Sequence, residues 1–526
     1  MAELGRKAKS MAWAPDQEPR ARGGVVVSPV PATATARMTD PQWRSALRAY
    51  PEDRHKQWLE DRVLGGARQL AGELEARTKV EPERFARLML SLPEDTHDSY
   101  FEAIVRALPG GSLPLDLLVA VAERAHARPG RPHGRWLPPM IASHGEAGLP
   151  PALLDLVAWY ATQDPDPSAE LWRPSPESDT GYYGGTPHEH GINTARGSAA
   201  EALARLIAQG PEHWTHLAPT LGRMVDDPSM AVRTCVAEAC TQALRHDRPK
   251  AIALFLRLCN LGDALLASPP IERFLNYTAP YDFEAVLPVL SAMLASPLAE
   301  ARQAGARQVM RAALTLDAAR PWADRALTGD APMRKGAAQV LAANLLAAPD
   351  RAYVEAGLIR LFHDPDPEVR GEAAEWTRPF REAGRLGPLG EVADAFLASP
   401  AFSGAGIGSL FEALEDASEA PADLLLRAGE RFIEVVGLGA GDTAGSGAFT
   451  AQTLSELVLR AYRQAEDAPD LRRRCLDLLD RLLEVGAMGQ RRPWTPSADR
   501  LAPPHGDTGR VALRVPRHQW LEFRGP

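Results

Sequence analysis

Lysine is nearly missing from this chain. Six of its 59 basic residues are Lys and the rest are Arg, while Asp and Glu number 68, so the formal charge is -9. Broad binding of nucleic acid needs clustered positive charge to displace counterions, so this balance disfavours a polyanion binder and leaves at most a local basic groove. Cysteine is scarce too. Cys235, Cys240, Cys259 and Cys475 form no CxxC pair, which argues for small buried residues instead of a zinc ribbon or a disulfide framework. Aromatic residues are 6% of the chain, and β-branched runs are rare, a balance that favours helix. No apolar stretch approaches the about 18 residues of a membrane span. The charged N-terminus (Glu3, Arg6, Lys7, Lys9) lacks the apolar core of a secretory signal, so the expected compartment is the cytoplasm. No GxxxxGK[ST], GxSxG or HExxH occurs, and those patterns carry phosphate cradles, nucleophile elbows and zinc proteases. Ser198 and the Asp, Glu and His residues follow no catalytic pattern. The expectation is a non-enzyme without cofactor or resident metal.

What the chain has is one turn-to-helix unit, used repeatedly. His363-Asp364-Pro365-Asp366-Pro367-Glu368-Val369-Arg370 leads into Gly-Glu-Ala-Ala-Glu-Trp, ending at Trp376, and Asp227-Pro228-Ser229 leads into Val232-Arg233 in the same way. Asp or Ser ahead of a helix satisfies its free N–H groups, Pro fits the first turn, and small residues at i+4 and i+7 let helices approach closely. Looser copies centre on Arg196, Arg302, Arg334 and Arg472. The separations from Arg196 through Arg472 are 37, 69, 32, 36 and 102. Taken as one, two, one, one and three units, they give a period in the mid-thirties, the mark of stacked helix pairs.

The organisation expected along the chain follows from punctuation. Residues 1–37 read as a disordered leader, and 38–161 as short helices, starting at Thr39-Asp40-Pro41-Gln42-Trp43, with a Pro/Gly-rich interruption at 128–150. Residues 162–191 form a long loop, 192–380 HEAT-like repeats and 381–488 further helical repeats. The Arg/Pro-rich tail at 489–526 reads as irregular. The two ends together suggest a detached or frame-disrupted arm of a longer protein.

The Asp-Pro-x-x-x-Val-Arg pattern at 227–233 and 364–370 resembles HEAT repeats, which implies an all-α superhelical solenoid. Met38-Thr39-Asp40-Pro41-Gln42-Trp43, Pro82-Glu83-Arg84-Phe85-Ala86-Arg87-Leu88, Gly191-Ile192-Asn193-Thr194-Ala195-Arg196-Gly197 and Arg472-Arg473-Arg474-Cys475-Leu476-Asp477 also resemble the C-terminal helical arm of large bacterial STAND-type (NACHT-like) NTPases. In that family the arm is a sensor in anti-phage defence and a separate P-loop module hydrolyses ATP. With no P-loop in this chain, the resemblance implies the sensor role and not the hydrolysis.

Four groups of residues are candidates for function. Trp172, Tyr182 and Tyr183 lie in the long loop, where exposed aromatics serve as partner anchors; the alternative is that they cover an apolar groove of the stack. The repeat residues Asp227, Asp364, Arg196, Arg233, Arg302, Arg334 and Arg370 read as structural. Each Arg is expected to bond a neighbouring Asp or helix-end carbonyl across the stack, in preference to lining an anion-binding face. His188-Glu189-His190 reads as a polar loop, since the sequence places no third metal ligand beside it. The glycine-rich stretch 437–447 lacks the Lys of a phosphate cradle and reads as an interhelical loop. The expected function is a scaffold or sensor that binds protein. A free-standing HEAT adaptor is one alternative, and a HEAT-like nucleic-acid enzyme, which the charge opposes, is another.

Overall fold

A computed structural model describes residues 25–53, 57–59, 62–110, 113–168, 186–383, 390–417, 422–436 and 446–484. Among them the chain is almost wholly helical. The exception is a small sheet of β1 (Val25–Val27), β2 (Gln57–Leu59) and β3 (Arg62–Leu64), with β3 in the middle, parallel to β1 and antiparallel to β2. Part of the expected irregular leader therefore pairs with the chain. Val25-Val26-Val27 is the sort of β-branched run that suits an extended pairing.

The principal helices ahead of the long loop are α1 (Asp40–Ala49), α2 (Ala67–Val80), α3 (Pro82–Leu90), α4 (Asp98–Ala107), α5 (Leu115–His126), α6 (Leu137–Ala142) and α7 (Pro151–Thr162). After it come α8 (Pro187–Gly191), α9 (Ala195–Gln209), α10 (Pro211–Met224), α11 (Met230–Ala243), α12 (Arg248–Leu258), α13 (Pro269–Thr278), α14 (Phe283–Ala295), α15 (Ala299–Ala313), α16 (Arg320–Thr328), α17 (Ala331–Asn344), α18 (Arg351–Leu361), α19 (Pro367–Ala374), α20 (Gly390–Ala398) and α21 (Gly404–Asp416). Packing skips one helix at a time. α9 touches α11, α11 touches α13, and the series continues through α15, α17 and α19 to α21, while α12 packs on α14 and α18 on α20. This alternation is the stacking of helix pairs, an α-solenoid.

The more buried series is rich in small side chains. Ala199, Ala200, Ala231, Ala237, Ala304, Ala306, Ala337 and Ala338 are fully buried, so neighbouring backbones come close. Gly336 on α17 marks the tightest approach: a Cβ there would fall inside the contact distance of the Gln303 carbonyl oxygen and near Ala306 on α15.

Within residues 128–150 the interruption carries α6. Pro138 and Pro139 stand in its first turn, where a missing N–H costs nothing. Arg128, nearly buried, stacks 4.3 Å over the Phe101 ring and donates to Asp98 at 2.6 Å. His133 is fully buried beside Phe101, and neither ring nitrogen has a hydrogen-bond partner. Burial, reinforced by Arg128, pushes its pKa down to about 4.

The helices group into two compact units, one through Glu419 and one from Ala420. The second unit contains α22 (Ala422–Val436), α23 (Ser446–Gln464) and α24 (Pro469–Glu484), each packed on the other two. Its core holds Leu425, Leu426, Leu454, Val458, Leu478 and Leu482. No helix among the described residues is long and apolar enough to cross a membrane.

Gly336→Ala should lower stability by about 1–3 kcal/mol, through overpacking against backbone. Gly371→Ala on α19, where a Cβ meets nothing within 4 Å, should be neutral or stabilising by up to about 1 kcal/mol; urea midpoints of the two variants decide this. For His133 the folded-state pKa lies below the ordinary 6.5, so its contribution is intact above that value and is lost as pH falls toward about 4. Between pH 7 and 5 the His133→Leu variant should lose about 2 kcal/mol less stability than the parent chain, read from urea unfolding at each pH.

Candidate functional site

Four of the turns that precede the more buried helices are built the same way. Asp364 Oδ1 accepts the Asp366 N–H at 2.9 Å, Asp227 Oδ1 accepts the Ser229 N–H at 2.8 Å, and Ser296 and Ser399 hydroxyls accept the N–H two residues on at 3.1 Å. Each is a side chain folding its own backbone into a turn, followed by Pro. Copies at Asp227, Ser296, Asp364 and Ser399 are spaced by about two, two and one repeat lengths.

In the turns before α11, α15, α17 and α19 an arginine from the following helix fills a fixed position. Arg233 Nε donates to the Asp227 carbonyl at 2.7 Å, Arg302 to that of Ser296 at 2.6 Å, Arg334 to that of Gly329 at 2.6 Å and Arg370 to that of Asp364 at 2.7 Å. Three of the arginines also reach the acid of the next turn. Arg196 contacts Asp227 at 2.8 Å, Arg302 contacts Asp330 at 2.7 Å, and Arg334 holds Asp364 through two bonds of 2.6 and 3.0 Å. The Asp364 hydrogen bond pushes the Arg334 pKa up. The series stops where the next turn lacks an acid. Ser399 follows Arg370, which adds only the Pro365 carbonyl. Arg233 has the Leu258 carbonyl at 3.2 Å, and its burial pushes its pKa down. Arg472 stands apart: it donates to the Tyr462 hydroxyl at 2.9 Å and stacks on that ring.

A fifth copy of the turn lies where the long loop begins. Asp164-Pro165-Asp166-Pro167 repeats Asp364-Pro365-Asp366-Pro367 letter for letter, and Asp164 Oδ1 accepts the Asp166 N–H at 2.9 Å. In the 364 unit the helix follows at once. In the 164 unit it waits until Ala195, yet most of the bonds recur; the difference is that Thr194 N–H donates to the Gly191 carbonyl where Glu368 N–H donates to Asp366. The Arg196 N–H donates to the Asp166 carbonyl at 3.0 Å, as that of Arg370 does to Asp366 at 3.2 Å. Asp166 Oδ2 accepts the Ala195 N–H at 2.7 Å, and Arg196 Nη1 donates to the Asp164 carbonyl at 2.8 Å. The long segment is therefore an insertion at a helix N-cap, with both of its ends held in one turn. Arg196 and Asp227, at 8% exposure each, lock that turn to the next repeat. Within the insertion, Trp172, Tyr182 and Tyr183 lie outside the described residues, as does most of the glycine-rich stretch 437–447.

Where the chain returns, Thr186 caps the short helix α8 and its hydroxyl accepts the Glu189 N–H. α8 presses on α11 through Gly191, whose place leaves no room for a Cβ against the Ala231 carbonyl and Cys235 Sγ. His190 is buried. His188 Nε2 lies 3.2 Å from Glu201 Oε1 on α9.

Sequence patterns did not signal a second polar series, in which side chains bridge successive helices about one repeat apart. Arg273 pairs with Glu238 at 2.8 Å, Arg307 holds Glu272 at 2.6 Å and Gln339 at 3.0 Å, and Lys335 reaches Glu368 at 2.9 Å. The spacing was available in the sequence, but Glu and Arg are too common at exposed helix positions for it to stand out.

No family model matches the chain, and no curated protein does. Among solved structures it is similar to the Pds5–Scc1 complex at 11% identity and a TM-score of 0.28, over 86% of this chain and 72% of that one. It is also similar to SYS-1 at 13% identity and a TM-score of 0.25, over 85% and 78%.

Arg196→Ala or Asp227→Ala should each cost about 3–5 kcal/mol, because each leaves a buried charge uncompensated. Arg302→Ala, whose partner Asp330 is 44% exposed, should cost about 1 kcal/mol. A double-mutant cycle on Arg196 and Asp227, followed by chemical denaturation, should return a coupling that Arg302 and Asp330 lack.

Proposed function

We propose that this chain is a non-enzymatic helical-repeat scaffold that binds a protein partner, with the insertion after Pro167 as its recognition element. The observation that supports this is the intact turn geometry around an interrupted helix cap. The turn keeps its bonds from Asp164, Asp166 and Arg196 across the insertion, which supports a task for the inserted residues beyond linking two helices. Long insertions on rigid scaffolds carry function more often than connections do. In this reading Trp172, Tyr182 and Tyr183 are the anchors. The repeat arginines are structural, since each is already engaged in a turn.

The narrower form of the reading is a sensor arm that works with an anti-phage NTPase supplied by another polypeptide or module. It draws on the resemblance of the 38–43, 82–88, 191–197 and 472–477 segments. A free-standing adaptor for an endogenous protein is the second form.

The test is affinity capture from infected and uninfected cells by the parent chain and by a Trp172→Ala/Tyr182→Ala/Tyr183→Ala variant. A partner retained at least about tenfold better by the parent, with equal thermal unfolding of both chains, is the expected result. Retention only after infection favours the sensor form, and retention without infection favours the adaptor. Equal retention by the two chains would overturn the role given to the aromatics.

A further inference from the structure

His188, Glu201 and Cys235 come from three separate helices, α8, α9 and α11. Their ligand atoms (an imidazole nitrogen, a carboxylate oxygen and a thiol sulfur) all lie within 4.8 Å of one another. A tetrahedral centre with bonds of about 2.0–2.3 Å keeps its ligands within about 4 Å of each other, so small side-chain rotations close the set. We propose that His188, Glu201 and Cys235 form a binding site for a zinc-class divalent cation, with a fourth position left for water.

The chemistry of the donors selects the metal. Hard cations such as magnesium and calcium take oxygen ligands and gain little from an imidazole and a thiol. Monovalent copper favours sulfur and gains little from a carboxylate. Zinc accepts nitrogen, oxygen and sulfur together. Charge balance favours the same answer. On binding, the S–H proton leaves to solvent and a sulfur–metal bond forms. The two negative ligands then cancel the charge of the dication, which a buried site requires.

The frame that holds the ligands is closely packed. Cys235 is fully buried on α11, and Gly191 seats α8 against it so closely that only hydrogen fits. Glu201 already orients His188 through the 3.2 Å contact. A bound metal would staple α8, the return arm of the insertion, to two helices of the stack. The site is independent of whether the insertion binds a partner.

The test uses the full chain with cobalt(II) as a spectroscopic probe and zinc as competitor. The expected result is one equivalent of cobalt with a sulfur-to-cobalt charge-transfer band and tetrahedral visible bands, displaced by zinc. Cys235→Ser should abolish the charge-transfer band. His188→Ala should weaken binding by at least about tenfold, since even outer-shell losses reach that scale. Cys475→Ser, in the other unit, should change nothing. Glu201→Gln keeps the side-chain shape and serves where Cys235→Ser fails to fold, as judged by circular dichroism; it too should lose at least about tenfold in affinity. Zinc should raise the melting temperature of the parent chain and not that of Glu201→Gln. A charge-transfer band that survives in Cys235→Ser, or equal cobalt affinity in the parent, His188→Ala and Glu201→Gln, would overturn the site.

Discussion

A carboxylate shared between two repeats is the interaction on which the rest of the stack depends. Asp364 uses one oxygen to fold its own turn, through the Asp366 N–H, and both to hold Arg334 of the preceding unit. Asp227 does the same for the Ser229 N–H and Arg196. The bond within the turn sets where the following helix starts. The bond between units sets where that start lies against its neighbour. Local geometry and stacking register are thus fixed by one side chain. Buried carboxylates are costly unless several donors meet them, and here the turn amide and the guanidinium supply those donors together.

The arginine is equally constrained. Its other nitrogens bond carbonyls in the turn of its own repeat, so the guanidinium spans the seam and cannot be replaced by a single-point cation without loss of bonds. Where the next turn offers Ser in place of Asp, or no such turn, the cross-seam bond disappears and the within-repeat bond remains. Small residues then govern how near the helices come, as Gly336 shows against Gln303.

The helical class and the mid-thirties period were legible because Pro, Asp and Arg recur at fixed offsets and because no β-patterned run of any length competes. Arg334 stood out by its place in the repeat, and its acid, Asp364, belongs to the next turn. What escaped was anything that depended on where the chain returns. Asp164-Pro165-Asp166-Pro167 stands in the sequence as plainly as its twin at 364. The helix it caps begins at Ala195, so an offset-based reading sees a turn with no helix and a helix with no turn. His188 was noticed for its neighbour His190, yet its partner Glu201 and the nearby Cys235 stand on other helices. Val25-Val26-Val27 failed to announce itself because a three-residue strand has meaning only beside Arg62-Val63-Leu64.

The interrupted cap has a consequence for how this protein can change over time. Because the two flanks of the insertion are pinned in one turn, the closure cost of added length between them is small, since each doubling of a loop adds about 0.6 kcal/mol. The bonds of Asp164, Asp166 and Arg196 do not run through the residues between Pro167 and Thr186, so a change of length there leaves the register of this turn with the next repeat to the same three side chains.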